Sequence, residues 1–470
     1  MELLPEIFLC AGIASLLLLT LAPRGELLAR YISALAGGAA LAGCFLTLDA
    51  SALRCGGTYE ISLFSQTFKG FVSLALFATA FFSGLGQAVS GRKMVEFHLF
   101  LCTAALGMVM LASSVELLTF FVALELSSYS LYLLVMMKDY RWNSEAGMKY
   151  LIFGATVSGI FLFGASLLVG LTRSTGFAGL AEGLHAVSNS PVAWLGFFFV
   201  TGAFFFKLSL VPFHFWAPDA YEAAPTPATA FIATASKAAA VAVLLRWFSA
   251  FGVAPVLVPV FGVLAFLSMT VGNTVALVQR DTKRLLAYSS IAQAGYIMVG
   301  LLSATPDAYA AVLFYAAAYV LMNLGAFLVV LKVGHAEGTD NPSFDHFNGL
   351  ADRSPLLALV LLVSVLSLAG IPPLIGFTGK WFLFAAAMKA GHGWLVLAGV
   401  VNSVISLFYY LTLVKHAYLL KSDKKPYKLG WRLTTACIAM VLALVLLGTF
   451  PQPLLETAVA AFAGTLLSHA

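Results

Sequence analysis

Long apolar runs alternate with short polar ones along nearly the whole chain. A helix of about 20 apolar residues crosses the hydrocarbon of a bilayer. Fourteen runs meet that measure: 5–22, 31–48, 70–90, 95–113, 115–137, 147–171, 192–216, 226–250, 256–278, 285–304, 308–333, 354–388 with a break, 394–420 and 431–450. Only Ser114 separates the fourth from the fifth. A shorter apolar tail, 452–468, is expected at the membrane interface. The pattern predicts an all-α polytopic membrane protein forming one membrane domain, 1–470. Between spans two and three, the stretch 49–69 suggests a hairpin at TYEISLFSQ. The stretch 334–353 carries His335, Asp340, Asp345 and His346 in a spacing that matches no metal-ligand pattern, so it reads as a solvated loop.

Composition agrees with the pattern: 61% of residues are hydrophobic and 10% charged, where a soluble protein carries about 25% charged residues. The net charge of +5 reflects topology rather than a nucleic-acid partner. With the N-terminus outside, 18 of the 26 lysines and arginines fall at or near inside loops, Arg24, Arg92, Lys138, Lys283 and Arg284 among them. Five fall outside: Arg54, Lys69, Arg173, Arg246 and Lys389. This satisfies the positive-inside rule, and an even helix count puts the C-terminus outside as well. Glu2 and Glu6 precede the first run, so it reads as a retained helix rather than a cleaved signal. The five cysteines form no CxxC, and the chain has no GxGxxG, Walker A or CxxCH motif. No cofactor or metal is expected on this chain, so its energy must come from an ion gradient or a partner subunit.

Three lysines remain, and they change the picture. Lys207, Lys237 and Lys380 lie well inside apolar segments. A lysine at mid-membrane costs roughly 2.5–3.5 kcal/mol on insertion scales and marks a functional site by default. In FFFKLSLVPFHFWAPD, Pro212 and Pro218 remove helical donors just beyond Lys207. In GIPPLIGFTGKW, Pro372 and Pro373 do the same before Lys380. The two broken segments are five spans apart, an odd offset that inverts orientation, and paired interrupted helices point to a transport pathway. Glu125, near the middle of span five, is the clearest intramembrane carboxylate; Glu116 reads as interfacial. Burial disfavours the charged form of an ammonium and a nearby carboxylate favours it. A Glu125 that approaches and leaves Lys207 would therefore act as a switch, and Lys237 and Lys380 would extend a proton relay. The plainer reading of Glu125 and Lys207 is a static ion pair. His214 either bridges a water chain or bonds a freed carbonyl. Asp219 and Glu222 are expected to line the inner mouth.

The stretches 143–170, 206–239, 281–296 and 369–384 (NSEAGMKYLIFG…, FKLSLVPFHFWAPDAYEAAPTPATAF…, DTKRLLAYSSIAQAGY and AGIPPLIGFTGKWFLF) together resemble the antiporter-like subunits of respiratory complex I, the proton-pumping NADH:quinone oxidoreductase. The resemblance implies fourteen helices, with inverted five-helix repeats at 95–250 and 256–421, three helices in 1–94, and a last helix and tail in 431–470. It implies broken helices seven and twelve. It also implies proton transfer through Glu125, Lys207, Lys237 and Lys380, with His214, Pro212, Pro372 and Gln293 in support. Related subunits often carry histidine where Gln293 stands, so a relay there is expected to be water-borne. Nothing after Leu455 resembles the long lateral helix of the family's largest subunit. The resemblance further implies a multi-pass protein of the bacterial inner membrane, in contact with lipid and neighbouring antiporter-like and small helical subunits. The parent complex would use NADH, FMN, iron–sulfur clusters and quinone. A subunit of a multi-subunit sodium/proton antiporter, or a membrane subunit of a related hydrogenase or dehydrogenase complex, remains open at this stage.

Overall fold

Helix boundaries in the computed structural model follow local capping and the demand that backbone groups in lipid be paired internally. It describes residues 2–21, 25–85, 89, 91, 93–138, 141–187, 190–422 and 424–467; Arg24 and Arg92 lie outside these. The helices are α1 (Leu4–Leu19), α2 (Glu26–Leu46), α3 (Leu63–Phe82), α4 (Lys93–Ser113), α5 (Leu117–Val135), α6 (Arg141–Thr172), α7 (Phe177–Ala186), α8 (Pro191–Leu208), α9 (Trp216–Ala223), α10 (Thr226–Phe231), α11 (Lys237–Phe251), α12 (Val258–Ala276), α13 (Thr282–Leu302), α14 (Pro306–Glu337), α15 (Leu350–Arg353), α16 (Pro355–Ala369), α17 (Ile375–Lys389), α18 (Gly393–Tyr418), α19 (Trp431–Thr449) and α20 (Gln452–Leu467). Among the described residues twelve helices are long and apolar enough to cross a membrane, and two shorter apolar helices, α1 and α16, complete the fourteen expected crossings.

The soft boundary between spans four and five is an extended crossing point. Val115 N donates to Thr58 O at 3.1 Å, and Leu117 N to Thr175 O at 3.0 Å. Glu116 then starts α5 as its N-cap, accepting from Thr119 N at 2.7 Å, which satisfies one of the helix's free donors. The hairpin foreseen in 49–69 is present as β1 (Ala52–Arg54) paired antiparallel with β2 (Tyr59–Ile61). Span three begins earlier than its apolar run. Ser62 and Ser65 cap each other reciprocally, so Lys69 belongs to α3 rather than to a loop. The tail expected at the interface forms α20 and packs on α3 and α14, with the Phe462 ring 5.4 Å from Phe64.

Close helix pairs in the two halves match. A Cβ on Gly107 of α4 would come within 2.6 Å of Ser127 N on α5, and one on Gly272 of α12 within 2.6 Å of Ala292 N on α13. Small residues permit such approach where packing rather than hydrophobicity drives association. Gly107 lies against the backbone of Ser127, which is buried together with Ser128.

Candidate functional site

The break in span seven starts at Ser209, whose left-handed backbone (φ 60°) ends α8. Ser209 N and Leu210 N donate back to Phe206 O and Phe205 O, each at 2.9 Å. Trp216 Nε1 also donates to Phe206 O, at 3.0 Å, and Val211 N donates to Ser268 Oγ of α12 at 2.9 Å. Leu208 O is taken by Lys237, whose ammonium donates to it at 2.7 Å and to Ser209 Oγ at 2.6 Å. Lys237 arrives here directly after a π-helical turn, Ile232–Ser236, a distortion common at functional sites.

The break in span twelve is built the same way. Gly370 (φ 90°) ends α16, a backbone that a side chain would strain. Its N–H and that of Ile371 donate to Leu366 O at 3.0 and 3.1 Å. Lys380 donates to Leu368 O and Ala369 O, both at 3.1 Å, and to Ser403 Oγ at 3.3 Å. Its ammonium lies 4.3 Å from the centre of the Tyr296 ring. Lys237 and Lys380 therefore each cap the open C-terminal end of a half-helix. A cation there meets the negative end of the helix dipole, worth about 0.3–1 kcal/mol and up to about 2 kcal/mol when partly buried. Cation–π contact adds to this when desolvated.

Lys207 sits one residue before the carbonyl that Lys237 holds. Its buried ammonium donates to Ser127 Oγ at 2.5 Å and Ser128 Oγ at 3.1 Å. Glu125, on the same helix as these serines, accepts instead from the hydroxyl of Ser158 on α6. The two charged groups form no ion pair within 4.0 Å, so the static pair is not made. Glu125 is only half-buried, and α5 and α6 present exposed Val122, Tyr129, Ile152 and Phe153 nearby in sequence.

Gln293 makes two direct side-chain hydrogen bonds. It accepts from the Tyr315 hydroxyl and donates Nε2 to Leu368 O at 3.0 Å, the same oxygen that holds Lys380. Pro212 and Pro372 lie within the two breaks. His214 is buried beside the first, its ring centre 4.4 Å from that of Phe215, and its Nδ1 has no partner among the described residues.

Several charges read as loop residues are buried pairs. Lys69 binds Glu6 at 2.6 Å with its own side chain inaccessible. Arg246 binds Glu60 at 2.7 Å and donates to Ala112 O at 2.9 Å. Asp340 does not belong to a solvated loop; it is held between Lys138 and Lys283. Asp219 and Glu222, expected at the inner mouth, meet the partly exposed Arg284 at 2.9 and 2.8 Å. The signal for Lys69 was available in the i, i+4 spacing of Phe64, Phe68 and Val72, a helical repeat that starts before Lys69. Asp340 had no local signal, since its partners come from distant crossings.

Residues 114–406 match the family described as NADH:quinone oxidoreductase/Mrp antiporter, TM. The chain is 41% identical over 463 residues to NADH-quinone oxidoreductase subunit N 2 of Syntrophobacter fumaroxidans, covering 97% of this chain and 98% of that protein. It superposes on a chain of respiratory complex I from Thermus thermophilus with bound aureothin at a TM-score of 0.85 and 35% identity, covering 97% of this chain and 100% of that one. A chain of the Mrp complex from Dietzia sp. superposes at a TM-score of 0.88 and 22% identity, covering 98% and 96%; that likeness concerns the fold.

Proposed function

The chain belongs to the NADH:quinone oxidoreductase/Mrp antiporter transmembrane family, and we propose that it is a proton-translocating membrane subunit of an NADH:quinone oxidoreductase. The observation that carries this reading is the row of three buried ammonium groups, two of them seated on the open ends of broken helices. Such charges are costly in lipid and mark ion pathways.

The hydroxyls of Ser127 and Ser128 seat Lys207 while Glu125 rests on Ser158. When Glu125 leaves Ser158 it competes for the same ammonium. When it withdraws, Lys207 is left on neutral partners and passes its proton toward Lys237, anchored one residue away on Leu208 O. Gln293 shares Leu368 O with Lys380, so the second break is coupled to α13 through a shared acceptor as well as through the Tyr296 ring. The matching breaks and close helix pairs support inverted repeats at 95–250 and 256–421, preceded by the helices of 1–94 and followed by 431–470.

Quinone reduction takes place in other subunits, which supply NADH oxidation, FMN, iron–sulfur clusters and quinone. The half-buried Glu125, on an otherwise apolar outer face, supports a neighbouring membrane subunit against α5 and α6. The distribution of basic residues supports both termini outside, and the likeness to bacterial subunits supports an inner-membrane location. The test is proton uptake alongside quinone reductase activity in complexes carrying Lys207→Met or Glu125→Ala. Loss of uptake is expected in both. Wild-type pumping in both would remove these residues from the mechanism.

A further inference from the structure

At the end of the bundle that the basic loops assign to the inside, Asp340 lies just beyond α14 and is shared by two lysines. Lys138, just beyond α5, pairs with its Oδ2. Lys283, near the start of α13, donates to the same oxygen at 3.2 Å. Oδ1 accepts from Thr226 N at 3.2 Å and Thr226 Oγ1 at 2.9 Å, where α10 begins. Lys283 also donates to Ala224 O, the C-cap of α9, at 2.7 Å. Lys138 donates to Asn341 Oδ1 at 3.3 Å, and Asn341 Nδ2 to Glu222 O at 3.0 Å. The Lys283 side chain is inaccessible, while those of Lys138 and Asp340 are 7% and 16% exposed. Burying charge is costly, and a single pair would already neutralise Asp340. The second lysine makes the cluster a net cation with one edge open to water.

Buried hydroxyls lie on the helices that meet at this cluster and next to Lys237. The hydroxyls of Thr282, Tyr221, Tyr319 and Ser236 have no protein partner among the described residues. Ser290 lies beside both tyrosines, α9 packs on α13, and Ser236 adjoins Lys237. Buried polar groups without protein partners are satisfied by ordered water.

We propose that Lys138, Asp340 and Lys283 form a proton-loading site that feeds Lys237 along this series of hydroxyls. The proposal rests on the proton-translocation reading given above. In each cycle a Lys138 Nζ–H bond breaks as an O–H bond forms on a hydroxyl or water of the series. One proton leaves the far end for Lys237, and neutral Lys138 takes a proton back from bulk water. Asp340 stays anionic and keeps the two lysines together.

The electrostatics of the cluster agree. Burial and the facing Lys283 push the Lys138 ammonium down to about 8, against the pull of Asp340. Burial pushes Asp340 up, but Lys283 and Lys138 hold it below the usual carboxylate range. Around them, Asp219 and Glu222 of α9 are engaged by Arg284 of α13. Lys149 of α6 reaches Asp219 at 3.3 Å, and burial raises Asp281.

The experiment measures proton uptake by the whole complex in inverted membrane vesicles as a function of pH, for Lys138→Arg, Asp340→Asn and Lys207→Met, with the amount of assembled complex measured alongside. Lys138→Arg keeps the positive charge but does not release its proton. It is expected to assemble, to slow uptake by about tenfold or more, and to lose the pH dependence centred near 8. Asp340→Asn is expected to move that dependence down by about 1–3 pH units. Wild-type rate and pH profile in Lys138→Arg would overturn the proposal, whether or not Asp340→Asn assembles. If Lys207→Met loses uptake while Lys138→Arg is normal, the loading site alone fails. If Lys207→Met pumps normally, the underlying reading fails.

Discussion

Replacing Ser127 and Ser128 together by alanine tests how Lys207 is held. The ammonium now rests on two hydroxyls, at 2.5 and 3.1 Å, while Glu125 is occupied by Ser158. A hydrogen bond to a charged group contributes about 1.5–3 kcal/mol. Losing both removes about 3 kcal/mol or more from the resting seat. Since about 1.4 kcal/mol is a factor of ten, the balance between the serine seat and a Glu125 pair moves by about 100-fold. The double variant should therefore trap Lys207 on Glu125 and block release toward Lys237. The assay is NADH-driven proton uptake in inverted vesicles, referred to quinone reduced in the same sample. Uptake should fall by about tenfold or more, with each single variant intermediate. Ser128→Thr keeps the hydroxyl and should stay near wild type. Ser127→Thr is a poor control, because Gly107 lies against that backbone. Wild-type uptake in the double alanine variant would refute the switch.

Three further outcomes are expected. Lys380→Arg should keep a cap on Leu368 O and Ala369 O yet lose proton uptake as fully as Lys380→Ala, while assembling better; uptake preserved in the arginine variant alone would show that fixed charge suffices. Gln293→Leu leaves the buried Tyr315 hydroxyl without its partner, a penalty of about 1–3 kcal/mol, and takes one of two donors from Leu368 O; it should lower the melting temperature of the complex as well as slow pumping. Gly376→Ala would place a Cβ 1.8 Å from Ser367 O; such overpacking costs about 1–3 kcal/mol or more and should reduce the amount of assembled complex in membranes.

The crossings and the four intramembrane charges were legible in the sequence, because an apolar run makes a lone lysine or glutamate conspicuous. The breaks were legible too, since proline marks the lost donor. What each lysine holds was not. Lys237 caps Leu208 O and Lys380 caps Leu368 O only after separate helices, or half-helices, have packed. Lys207 and Glu125 read as natural partners, yet serines hidden among the apolar residues of α5 took one, and α6 supplied Ser158 for the other. Asp340 misled for a related reason. Its neighbours in sequence are polar, and nothing local announces that Lys138 and Lys283 converge on it from different crossings. Lys69 reads as a loop residue because hydropathy falls before the Ser62 cap is reached, although the helix starts at that cap.

Difference infrared spectroscopy of the whole complex, with nitrogen-15 lysine incorporated, would follow the ammonium groups themselves between the oxidised and quinone-reducing states. The account predicts an isotope-sensitive ammonium signal that changes during turnover and is smaller in Lys237→Met. A spectrum with no lysine change in the wild type, from a complex that is pumping protons, would contradict it.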